Sequence, residues 1–225
     1  MKFFCIIFLF SFSINSFAQG EYKFDKKIFG YTLEQIDTLT SHVDSIYFIE
    51  KMIVKIWRPG PMVSDTALAM GYYGYVFQHD YHPDRFIGLE LKIMRHNDNK
   101  EWKKALKLAD SLLINYPICL MGHVEMCHAY NSLQDTIRAK QHRIIYERLG
   151  NMILRTGDGK SMETAYIITG LKDIEVLTQI QRMRVKKRIT KRKKNHTYEI
   201  VTVYKNFEQF DIYFDTSLIE KFRRY

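Results

Sequence analysis

The sequence predicts an α+β protein, with antiparallel helical hairpins first and a small β-rich domain last. Three observations predict it. Through the first two thirds, apolar residues recur at spacings of three and four, the period of a helix with one buried face. Two small residues, Ala105 and Ala139, stand 139 − 105 = 34 positions apart within that region. After Gly150 the pattern shifts to short runs rich in β-branched and aromatic residues, alternating with charge.

The opening MKFFCIIFLFSFSINSFAQG has one cation, a short apolar run and a small residue before Gln19. That is the layout of a secretory leader, expected over residues 1–18 with cleavage after Ala18. The run is roughly ten residues, against the ~20 that span a bilayer, so after cleavage no membrane-crossing segment is expected. Cys5 lacks the small residues that precede a lipid-modified cysteine. Removing the leader leaves 225 − 18 = 207 residues and a net charge of 33 − 25 = +8. Cys119 and Cys127 fall eight apart in one expected helix, about 12 Å between Cα atoms, too far for a disulfide. Both are expected to be buried apolar groups.

Each element follows from local chemistry. Thr32 with Gln35 three residues on is a capping box that starts a helix. Ile46, Ile49, Ile53 and Ile56 at 3, 4, 3 spacing form one apolar helical face, which RPGP at 58–61 stops. Ser64 or Asp65 caps the next helix, which carries GYYGYVF and is broken by Pro83. Another is expected to begin over Asp84 to Met94. Residues 101–149 then hold the helices that carry Ala105, Tyr130 and Ala139, interrupted at Pro117. Small residues 34 apart at a tight helix crossing resemble tetratricopeptide repeats. His123 and Cys127 stand where the second repeat would carry Trp and Gly. The helical TPR-like domain is drawn over 19–150, a glycine-containing joint over 151–162 and the β-rich domain over 163–225.

In that last domain TAYIIT (164–169) reads as a strand and DIEVLTQIQ as a short helix. RMRVKKRIT is expected to place Met183, Val185, Lys187 and Ile189 on one face, with Arg184, Lys186 and Arg188 on the other. KRKKNH reads as a turn, YEIVTVY and FDIYFDTS as further strands, and Ser217 with Glu220 as a capped final turn of helix.

TGDGKSMETAY (156–166) invites a nucleotide-binding reading that its details refuse. A phosphate loop needs a first glycine five positions before Gly159, and Leu154 stands there. The helix precedes it and the strand follows, the reverse of the required order. Its glycines are expected to end a helix and turn the chain into the sheet.

GYYGYVFQHDYHP (71–83), GDGKSMETAYIIT (157–169) and FDIYFDTS (210–217), in that order behind a leader, resemble an uncharacterised family of exported bacterial proteins. The family is catalogued as domain of unknown function 4919 and occurs mainly among Bacteroidota. The resemblance implies a shared fold and a periplasmic or cell-envelope location in a Gram-negative bacterium. It implies no activity.

Candidate chemistry is sparse. His79, Asp80 and His82 could serve a hydrolase-like site or begin a zinc site, but no third ligand follows at a usable spacing. No nucleophile elbow and no Cys–His pair is present, so neither a cofactor nor a metal is expected. Tyr73, Gln78, Asp80 and Tyr81 are the candidates for contacting a ligand if the tyrosines line a groove; packing is the competing role. Residues 182–194 hold nine Lys or Arg and no acid. Without them the chain balances at 25 − 25 = 0. Arg184, Lys186, Arg188, Lys191 and Arg192 are therefore candidate contacts for an anionic surface or ligand. Nucleic acid is not expected, because no stacking aromatics interleave. The function expected is a protein- or peptide-binding scaffold of the envelope. An enzyme centred on His79, Asp80 and His82, or a purely structural component, are the alternatives.

Overall fold

A computed structural model describes residues 24–58 and 63–222. The expected leader, its cleavage point and most of RPGP lie outside them. Helices α1 (Leu33–Ser41), α2 (Ile49–Trp57), α3 (Asp65–Gly74), α4 (Ile87–Asp98), α5 (Trp102–Asn115), α6 (Leu120–Ser132) and α7 (Thr136–Ile153) come first. Then follow β1 (Tyr166–Ile167), α8 (Asp173–Ile180), β2 (Arg184–Lys193), β3 (His196–Lys205), β4 (Glu208–Asp215) and α9 (Ser217–Phe222). The fold is α+β, helices leading and the sheet closing the chain.

Local caps do what their chemistry allows. Thr32 and Gln35 exchange both bonds of the capping box, and the Ser64 hydroxyl accepts from Ala67 N to open α3. Helix α4 packs on α5, α5 on α6 and α6 on α7. Ala105 of α5 and Ala139 of α7 are both buried. The two helices also begin 136 − 102 = 34 residues apart. Cys119 is the N-cap of α6 and Cys127 lies within it, both free and buried.

Several elements depart from the sequence reading. Helix α2 begins at Ile49, and Ile46 is 70% exposed. The Ser45 hydroxyl accepts from Tyr47 N, a local turn that competes with helix at that point. The buried face is instead Ile49, Met52 and Ile56. Helix α3 stops at Gly74, and Tyr75–Phe77 tighten into a 3-10 turn well before Pro83. Pro83–Phe86 form a second 3-10 turn, and α4 proper starts at Ile87.

The sheet runs β1-β4-β3-β2, parallel between β1 and β4 and antiparallel elsewhere. The expected strand over 164–169 contracts to two paired residues. In β2 the expected two-face alternation fails at a bulge between Val185 and Lys187. Val185 pairs with Val203 and Arg188 with Val201, so these two share a face, while Ile189 pairs with Ile200 on the other. The strand also runs on to Lys193, shortening the expected turn. One apolar core crosses the glycine joint without a break, from Ile36, Tyr73 and Leu112 to Val201, Phe214 and Leu218.

Candidate binding surface

The His79, Asp80, Tyr81 and His82 stretch follows the 3-10 turn that ends the tyrosine run. Tyr81 N donates to Gln78 O, which folds it into a tight turn. The His79 and Asp80 side chains lie 3.4 Å apart and are 92% and 77% exposed, Gln78 and His82 half-buried. His79 and Asp80 therefore stand largely in solvent rather than in an enclosed cleft. Among the described residues, no group of three or more His, Cys, Asp and Glu side chains is placed to hold a metal ion.

Tyr73 and Tyr81 are inside the core, and their hydroxyls are committed. Tyr73 donates to Ile167 O at 2.8 Å and Tyr81 to Thr169 O at 2.6 Å. Tyr72 accepts from Thr169 N at 3.0 Å and donates to the Asp173 carboxylate. Ile167 N is taken by the Thr156 hydroxyl at 3.0 Å. Ile168 N turns the other way, to Asp215 O of β4. The tyrosine run and Thr156 together satisfy the outward backbone groups of Ile167 and Thr169 and close that edge of the sheet. Burial pushes the Tyr72 and Tyr73 phenols well above 10 and Asp173 up to about 7.

The GDGKS loop spends its amides on itself. Asp158 N and Gly159 N both donate to Thr164 O, and Lys160 N to the Asp158 side chain. The donors an anion would need are therefore occupied. A Cβ on Gly157 would collide with the Thr164 carbonyl, and Gly159 sits at φ +68. Both glycines serve a close backbone approach.

Two buried polar clusters escaped the sequence reading. His123 donates from Nε2 to Pro117 O at 3.2 Å, which leaves Nδ1 to accept from His142 Nδ1 at 2.9 Å. Trp57 stacks edge-on to both rings and donates to the same carbonyl. Desolvation lowers His123 to about 3 and His142 to about 4, so both are neutral. The second cluster joins Lys26, His196, Asp215 and Ser217. It holds a serine, a histidine and an aspartate, yet in the wrong order for nucleophilic catalysis. Asp215 and Ser217 both approach Nδ1 of His196, at 3.1 and 3.2 Å, while Nε2 faces Asp25. A serine nucleophile needs Nε2, with the carboxylate on Nδ1. Ser217 is buried and accepts from Thr197 N. Lys26 pairs with Asp215 at 2.9 Å, so the cluster clamps the first described segment onto the sheet.

The opposite edge of the sheet is β2, and all ten of its residues are exposed. Of the candidates there, three are engaged within the chain. Arg188 pairs with Glu199 at 2.6 Å, Arg192 with Glu220 at 3.7 Å, and Lys186 donates to the Tyr204 hydroxyl and Gln209. Lys193, which the sequence reading did not single out, pairs with Glu163. Arg184 and Lys191 project from the exposed strand, as does Lys187. At one end of this edge, beside Arg182 and Arg184, the β3–β4 turn lifts Phe207 fully into solvent. The signal that could have found it is an Asn-Phe pair between two alternating runs, where Asn-Gly is the usual hairpin turn.

A helical layer packed on a mixed sheet, with one edge closed by tyrosine hydroxyls and the other basic and open, defines an α+β protein with a charged sheet edge. The family model described as domain of unknown function (DUF4919) matches residues 34–224, and the chain belongs to that family. No curated protein and no solved structure matches it. No helix among the described residues is long and apolar enough to cross a membrane.

Proposed function

We propose that this chain is a binding scaffold of the bacterial cell envelope that engages an anionic partner through the β2 edge. One observation carries the reading: ten consecutive exposed residues at a sheet edge hold seven cations and no acid. Arg188, Arg192 and Lys193 pair with acids of neighbouring elements, and the other four cations leave an excess of one sign that draws an oppositely charged partner. The helices act as the frame. Helices α5 and α7, starting 34 residues apart with Ala105 and Ala139 buried, support a TPR-like hairpin stack behind the sheet. The leader-like first 18 residues support export, and mass spectrometry of the protein from its host would then find Gln19 as the first residue.

The test is retention on immobilised polyaspartate in a salt gradient. A Lys187→Glu, Lys191→Glu variant is expected to elute at clearly lower salt than the natural chain. Identical elution would overturn the reading and leave the purely structural role. The catalytic alternative at His79, Asp80 and His82 has no supporting geometry.

A further inference from the structure

Resting on the anionic-partner reading above, we infer that the partner is an anionic lipid surface, met by the end of the sheet where the β3–β4 turn projects. Lys205 pairs with Glu208, so Asn206 and Phe207 form a two-residue turn. Both have positive φ, 50° and 69°. Glycine is the residue such a turn prefers at the second position, and a bulky side chain there is strained. The Phe207 ring is fully exposed and repays none of that strain by packing. A backbone outlier that presents an unburied aromatic points to function at that ring.

The surroundings indicate which function. Arg182, Arg184, Tyr204, Lys205 and Phe207 line an open groove of about 540 Å³. Lys186 and Lys187 follow on β2, Lys186 held only by neutral partners. The acids at this end are Glu208 and Asp211, the latter accepting from Thr202. Five cations against two acids leave the tip positive. Val185 and Phe210, 42% and 38% exposed, flank Val203 on one face and add apolar surface behind the tip. The groove is open and its aromatic ring stands fully in solvent, which suits the headgroup layer of a bilayer, where aromatic rings settle at the interface and cations meet phosphates.

The experiment is flotation of the full chain with two kinds of vesicle, pure phosphatidylcholine and an equal mixture with phosphatidylglycerol, alongside polyaspartate retention. Binding to the mixed vesicles only is expected. Phe207→Ser should weaken it about tenfold, the scale of withdrawing one aromatic side chain from an apolar setting. Arg184→Ser should weaken it about fivefold, and retention on polyaspartate should be unchanged by Phe207→Ser. Phe207→Trp should shift its emission to the blue on the mixed vesicles. Polyaspartate retention without vesicle binding would overturn the lipid partner and leave an acidic protein as the ligand. Failure in both would overturn the anionic-partner reading as well. Vesicle binding that Phe207→Ser leaves intact would overturn insertion of the ring.

Discussion

The two edges of the one sheet solve the same problem by opposite means. Both β1 and β2 end a ladder and so present backbone donors and acceptors on their outer side. On the β1 side, Thr156, Tyr72, Tyr73 and Tyr81 supply a partner to each outward group of Ile167 and Thr169, and the three tyrosines are buried. On the β2 side all ten residues of the strand are exposed; charge and a bulge at Lys186 keep it from pairing promiscuously. The difference teaches where to look for each role. Tyrosines, histidines and buried acids, the residue types that usually announce chemistry, are here structural fasteners. The surface features open to a partner lie on the strand that packs least.

Removing a fastener should have the largest effect. Tyr73→Ala empties a buried aromatic site and uncaps Ile167 O, and is expected to cost about 3–5 kcal/mol in urea denaturation. Tyr73→Phe, which loses only the hydroxyl, should cost about 1–2 kcal/mol. Equal losses for the two would mean that edge closure, not packing, is what the ring supplies.

Acid should have the next largest effect, through the buried histidines of the helical layer and through Asp173, which Tyr72 holds beside the closed edge. His123 and His142 are depressed below 6.5, so as pH falls from about 6.5 toward 4 the unfolded chain takes up protons that the folded chain refuses. Stability is lost through that window. Asp173, raised to about 7 by burial, acts in the opposite sense, since its folded form gains a proton before the unfolded one. His142→Gln should therefore flatten the fall in thermal midpoint on acidification, and Asp173→Asn should steepen it. Parallel profiles for all three proteins would refute the assignment.

Within the open edge the cations should divide. Arg188→Ala strips Glu199, itself buried, of its ion pair and should cost about 1–2 kcal/mol. Lys187→Ala and Lys191→Ala should stay within about 0.5 kcal/mol while lowering polyaspartate retention. One change at this end of the sheet is a gain. Phe207→Gly relieves the positive-φ strain and should raise stability by about 0.5–1 kcal/mol in the same denaturation.

What was legible in the sequence was local. The capping box at Thr32, the cap at Ser64, Ala105 and Ala139, and the basic run all declare themselves within a few residues or a fixed period. The phosphate-loop reading could be refused from the sequence because Leu154 stands where such a loop needs a glycine. The tyrosine caps were not, since Tyr73 and Ile167 are 94 positions apart and Tyr81 and Thr169 are 88 apart. Spacing left ligand contact and packing both open for those rings, and nothing local says which backbone group a hydroxyl meets. Periodicity misled at Ile46, where a serine turn outcompeted the helix, and in β2, where one bulged residue reverses every face assignment beyond it.

A sheet with one sealed margin can accept a neighbouring strand on a single side. Two copies joined along β2 would each have used the one free margin that the sheet has among the described residues, so such pairing terminates at two and that sheet offers no margin for a third. The tyrosines that seal the far side therefore guard against fibre formation from a position in the interior, about as far from the vulnerable strand as the sheet allows.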